Sequence, residues 1–90
     1  MLFMVIEHMR PGRAPDIYRR FRDYGRLAPP GVHYVASWVD FDFRRCFQIM
    51  EADSIAELRQ WTINWEDLVE FEIVPVRSSV EAAEFIGPQL

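Results

Sequence analysis

The 90-residue sequence has no lysine; all ten of its basic side chains are arginine. Covalent chemistry through a lysine Schiff base is therefore excluded. Cysteine is nearly absent too. Cys46 stands alone, so no disulfide can form within the chain, which fits a reducing cytoplasm. No apolar run approaches the roughly 20 residues that span a bilayer. The N-terminus lacks the basic region, apolar run and cleavage site of a signal peptide. A cytoplasmic protein with no membrane partner is the expectation. Metal-ligand spacing is missing: there is no C-x-x-C and no H-x-x-x-H, and His8, His33 and Cys46 share no pattern. Haem would need an axial ligand, and nothing singles out His8 or His33. Neither a glycine-rich phosphate loop nor a G-x-S-x-G elbow occurs. No metal and no cofactor are expected.

Half of the chain is hydrophobic and 14% is aromatic, which argues against disorder. Its length makes a single domain over residues 1–90. A domain this small buries proportionately little surface, so a partner subunit would help it. The net charge of −4 argues against a general nucleic-acid binder. The charge is uneven: residues 1–30 hold six arginines against Glu7, Asp16 and Asp23, and residues 31–90 hold four against eleven acids. Solvated helix faces account for this without a function.

The first strand, Leu2 to His8, is apolar on both faces, because Leu2, Met4 and Ile6 alternate with Phe3 and Val5. Such a run reads as a central strand covered on both sides. Arg10-Pro11-Gly12-Arg13 is a turn. A helix follows from Pro15 or Asp16 to about Leu27, with Ile17, Phe21, Tyr24 and Ala28 on one stripe; Pro29-Pro30-Gly31 ends it. Val32 to Phe41 and Arg45 to Glu51 are strands joined through a polar bend at 40–44. Ser54 and Glu57 form a capping box for a second helix, whose stripe is Ile55, Leu58, Trp61 (or Thr62) and Trp65. Leu68 to Val76 is the last strand, and Pro75 places it at an edge. Residues 78–90 form a tail or short helix, with Ser78 and Glu81 repeating the capping box.

This order predicts an α+β, ferredoxin-like βαββαβ fold: a four-stranded antiparallel sheet with two helices on one face and the first strand between the third and fourth. Phe3, Val5, Phe47, Ile49, Phe71 and Ile73 are expected under the helices. Leu2, Met4, Ile6, His8, Cys46, Gln48, Met50, Glu70, Glu72 and Val74 are expected on the open face. That set is too apolar to stay wet, so a homodimer packed face to face through it is predicted.

The architecture resembles the dimeric α/β-barrel superfamily. More closely, the chain is similar to a small family of uncharacterised bacterial proteins known only as a domain of unknown function. The resemblance rests on residues 1–8, Ser37-Trp38-Val39, residues 45–51, Trp65, residues 67–72 and Val74-Pro75-Val76. It spans nearly the whole chain and implies a fold without an activity. Wider members include cofactor-free monooxygenases, lactone isomerases, haem-degrading enzymes and proteins that only bind or regulate, and fold alone does not choose among them.

Strand register carries the sharpest functional expectation. Setting His8 opposite Glu70 also pairs Ile6 with Glu72, Met4 with Val74 and Leu2 with Val76, so apolar ends meet and polar ends meet. Setting His8 opposite Cys46 places Ile6 beside Gln48 and Met4 beside Met50. One end of the open face would then gather His8, Glu70, Glu72, Gln48 and Cys46. A histidine beside a carboxylate is an acid–base pair, with His8 as base or acid, Glu70 or Glu72 orienting it and Gln48 as a polar anchor. The plainer account is a histidine at a strand end beside solvated glutamates. Tyr34 and Trp38, on one side of the second strand, would wall a pocket for a flat ligand or simply join a core or interface. Cys46 reads as a small buried hydrophobe rather than a nucleophile. RNA recognition is disfavoured, because the aromatic Phe47 is expected on the helix side and Glu70 and Glu72 would repel phosphate. The expected function is small-molecule binding in a pocket between the helices and the open sheet face, or within the barrel, with cofactor-independent acid–base chemistry of the isomerase or monooxygenase type. The competing class is a non-catalytic binding or structural dimer.

Overall fold

The computed structural model describes residues 1–90. In chain order it contains β1 (Leu2–Met9), α1 (Ala14–Tyr24), β2 (His33–Val39), β3 (Arg45–Glu51), α2 (Ile55–Thr62), β4 (Val69–Val76) and α3 (Ser79–Ile86). The strands form one antiparallel sheet in the order β2-β3-β1-β4. This is the ferredoxin-like arrangement, with β1 central and the proline-bearing β4 at an edge. No helix is long and apolar enough to cross a membrane.

Local chemistry sets the helix ends. Pro15 and Asp16 lie in the first turn of α1, where a missing N–H costs nothing and a negative charge meets the positive end of the helix. The helix stops three residues before the expected Leu27. Gly25 takes φ 72°, a conformation that favours glycine, and its N–H closes on the Phe21 carbonyl. The Ser54 hydroxyl caps α2 by accepting from the Glu57 N–H at 3.2 Å, and Ser78 does the same for Glu81 at 3.1 Å before α3.

The core lies between the sheet and α2. Phe3, Val5, Met50 and Ala52 meet Leu58, Trp61 and Trp65, with Val32 closing one side. Phe71 stands edge-on to Trp61, ring centroids 5.8 Å apart. No residue of α1 is fully buried. Its tie to the rest of the fold is partly polar: Arg20 reaches the turn after α2, donating to both Asp67 carboxylate oxygens at 2.8 and 2.7 Å and to the Asn64 carbonyl at 2.9 Å.

The β1–β4 register is the expected one, with His8 opposite Glu70, Ile6 opposite Glu72, Met4 opposite Val74 and Leu2 opposite Val76. The β1–β3 register differs by one residue. His8 faces Arg45, not Cys46, and Glu7 faces Cys46, Val5 faces Gln48 and Phe3 faces Met50. A slip of one flips a whole strand. Cys46, Gln48 and Met50 therefore lie under the helices, all three buried, while Phe47 and Ile49 lie on the open face. A second correction concerns β2. Tyr34 pairs with Met50 but Ala36 with Ile49, so Val35 is an extra residue in a bulge. The bulge puts Tyr34 on the helix side and Trp38 on the open side, separating two residues expected to share a wall. With Phe47 and Ile49 added, the open face is more apolar than expected: Leu2, Met4, Ile6, Ala36, Trp38, Phe47, Ile49, Val74 and Val76.

Candidate functional site

The half of the sheet beneath α2 is filled by large side chains. Beneath α1 the sheet instead presents Glu7, Ser37, Val39, Cys46 and Gln48, which are small or polar. The helix cannot close onto them, and a cavity of about 230 Å³ remains. Its roof is Ile17, Tyr18 and Phe21 of α1, and Trp61 and Trp65 form its far wall. Nine of its 13 lining residues are hydrophobic, so the few polar groups stand out.

Glu7 is one of these. It lies on the central strand, on the same face as Phe3 and Val5. Burial raises its carboxyl above the usual 4.5, and the neighbouring Cys46 thiol and Arg26 guanidinium offset only part of that rise. The same surroundings push the Cys46 thiol up to about 12, through burial first and then the Glu7 charge. Cys46 is therefore a protonated wall group and not a nucleophile. The Tyr18 hydroxyl is raised as well, by burial first and then by its neighbours Cys46 and Glu7, each once ionised.

Arg26 enters from the segment after α1, and the end of α2 holds that segment in place. The indole N–H groups of Trp61 and Trp65 both donate to the Arg26 carbonyl, at 3.0 and 2.9 Å, and Asn64 donates to the Leu27 carbonyl at 3.0 Å. The guanidinium lies 3.7 Å from the centre of the Tyr34 ring and 5.2 Å from that of Phe21. One of its N–H groups donates to Gln48 Oε1 at 2.6 Å. Gln48 is 2% exposed, and its Nε2 has no hydrogen-bond partner, the only buried side-chain nitrogen or oxygen left so.

The residues expected to form the site fall into two groups on opposite faces. His8, Glu70 and Glu72 are together on the open face. His8 Nε2 is 3.4 Å from Glu72 Oε1, but the two side chains are 44% and 56% exposed. Glu70, directly across from His8, is taken by Arg10 at 3.2 Å. Cys46 and Gln48 are on the other face, lining the cavity; Tyr34 shares that face and touches Arg26 through its ring, and Trp38 is not with them. The acid–base candidate in an enclosed setting is Glu7, which the strand pattern does not single out as catalytic. Its alternation with Phe3 and Val5 was nevertheless a signal: a carboxylate on the covered face of a central strand needs a reason. No sequence pattern points to Arg26. Elsewhere no three His, Cys, Asp or Glu side chains converge as metal ligands would.

Residues 1–90 match the family described as Domain of unknown function (DUF3303). The chain belongs to this family. No curated protein and no solved structure matches it. Membership in the DUF3303 family brings no activity, so the chemistry must be argued from the side chains under α1.

Proposed function

We propose that this chain is a small-molecule-binding protein whose site is the pocket under α1, with Glu7 as the group that exchanges a proton with the ligand. The observation that carries this reading is a carboxyl of raised pKa on the wall of a mostly apolar cavity. Titratable groups shifted by burial inside clefts are disproportionately functional. Cofactor-independent proton abstraction or isomerisation is the reaction class that fits one such carboxyl beside an arginine. The three tryptophans provide the test, because two line the pocket and Trp38 is on the opposite face. In a fragment screen followed by amide and indole N–H NMR, pocket binders should move the Trp61 and Trp65 indole signals and leave that of Trp38 in place. A screen at millimolar fragment concentrations that moved neither pocket indole would sink the reading.

A second reading, a dimer module packed through its open sheet face, is supported by a different observation. Phe47, Ile49, Met4, Ile6, Val74 and Val76 lie together on that face. In addition, α3 leaves the body with no residue buried, exposing Val80, Phe85 and Ile86. The radius of gyration is 14.8 Å, against about 12 Å for a compact chain of this length. A second copy would cover the face and give α3 something to lie against. Ile49→Asp should weaken such a dimer about a hundred-fold or more, since it buries an unpaired charge at the centre of the contact. Sedimentation velocity checks this, and a wild-type chain that sediments as a monomer at tens of micromolar removes the dimer.

A further inference from the structure

Three of the ten arginines are partly buried: Arg10, Arg20 and Arg26. Arg10 pairs with Glu70, and Arg20 pairs with Asp67. Arg26 has no carboxylate in ion-pair contact, and its one side-chain hydrogen bond goes to the neutral amide oxygen of Gln48. A guanidinium carries five N–H donors, so most of this set has no acceptor from the protein. The remaining unpaired arginines, Arg44, Arg59 and Arg77, are exposed to water. Arg26 alone is partly enclosed with no carboxylate in contact, Glu7 acting on it only from further across the pocket.

Its surroundings also fix how it would be used. The donors lie in the guanidinium plane, and the Tyr34 ring against that group limits its rotation. Arg26 is the single cation lining the cavity, and Glu7 is the single acid. One negative charge on a ligand is therefore balanced by Arg26 while Glu7 holds its proton. A dianion such as a phosphate monoester would carry a second charge with no partner, close to Glu7. An amine would satisfy Glu7 but leave Arg26 unpaired and repelled. The rest of the wall is aromatic and aliphatic. The cavity of about 230 Å³ is below the roughly 300–1,000 Å³ of sites for drug-sized molecules.

Building on the pocket reading above, we infer that the ligand is a small monocarboxylic acid with an apolar or single-ring body, its carboxylate held in the plane of the Arg26 guanidinium and its body against Phe21, Ile17, Trp61 and Trp65. Arg26 is then the specificity-determining residue, and Glu7 faces the part of the ligand next to the carboxylate.

The test compares acids with their uncharged amides: benzoate, phenylacetate, 3-phenylpropionate and hexanoate, each against its primary amide, titrated into the full chain. The Trp61 and Trp65 indole N–H signals report binding. The acids should bind about tenfold or more tightly than the amides, as a charge-assisted pair requires. Arg26→Gln should erase that preference and Arg26→Lys should keep part of it. Both substitutions preserve the backbone carbonyl that the two indoles bond, so unshifted indole signals in the free variants certify the fold. The acid-against-amide comparison in the wild type stands even if a variant does not fold. Amides that bind as tightly as acids, or an Arg26→Gln variant with an unchanged preference, overturn the carboxylate inference and leave the pocket reading standing. If no acid and no amide moves either indole, both fall together.

Discussion

Replacing Trp61 with alanine is expected to lower the unfolding free energy by about 3–5 kcal/mol. Trp61 is 1% exposed and sits where the α2 stripe meets Phe3, Val5 and Phe71. Truncation removes the largest of the fully buried side chains and leaves a cavity that the flanking strands, held by ladder hydrogen bonds, cannot collapse to fill. The lost indole hydrogen bond adds less, because Trp65 donates to the same Arg26 oxygen. Domains of this kind have only about 5–15 kcal/mol in hand, so the variant should sit near the edge of folding at 25 °C. Trp61→Phe separates the two terms: it keeps most of the volume and loses the N–H, and should cost about 1–2 kcal/mol. Urea unfolding followed by circular dichroism measures both. Phe41→Ala is the control, since Phe41 is 100% exposed at the β2–β3 hairpin. A Trp61→Ala midpoint no lower than that of the control would refute this account of the core. The same substitution should also disturb ligand binding, because the carbonyl that Trp61 holds belongs to Arg26.

What could be read in the sequence follows from where the pattern had only one solution. The order of elements, the central place of β1 and the edge place of β4 were legible, because an apolar run on both faces and a proline in a strand each admit few positions. The β1–β4 register was legible because β4 has distinct ends, acidic at Glu70 and Glu72 and apolar at Val74 and Val76. The β3 register was not. Cys46, Gln48 and Met50 on one face and Phe47 and Ile49 on the other are both acceptable to a covered face, so hydrophobicity could not decide between two settings one residue apart. The bulge at Val35 leaves no mark in a strand of β-formers, and with it went the shared wall of Tyr34 and Trp38. With these two differences, Cys46 and Gln48 lie on the face opposite His8, and Tyr34 on the face opposite Trp38. Cys46 and Gln48, expected beside His8, instead line the pocket with Glu7. Arg26 was invisible for a different reason: it lies between a helix end and a proline turn, and its position depends on two tryptophans 35 and 39 residues further along the chain.

Glu7→Gln should make the protein more stable at neutral pH, by an amount that grows as pH rises. The sign follows from the direction of the shift. Burial raises the folded-state carboxyl above 4.5, so the folded protein binds this proton more tightly than the unfolded chain does. Stability from that proton is fully present below the unfolded value and is lost as pH climbs through the folded one. Glutamine is not ionised at any of these pH values and pays no such penalty. The variant and the wild type should therefore keep a constant gap below pH 4.5. Above it the gap should widen by at most about 1.4 kcal/mol per pH unit, then level off once the folded carboxyl has ionised. Urea unfolding of both proteins across this range measures the gap, with common changes in the other carboxylates cancelling in the difference. A gap that stayed flat would mean that Glu7 titrates as an ordinary exposed acid, and the pocket would lose its proton-exchanging group. If instead the gap widens while Glu7→Gln abolishes turnover of a bound acid, one residue carries both effects. A carboxyl that weakens the fold at the pH where it would work is the cost of holding a proton-exchanging group against a mostly apolar wall. Phe3 and Val5 on the same face carry no such cost, so the pH-dependent gap isolates Glu7 within β1.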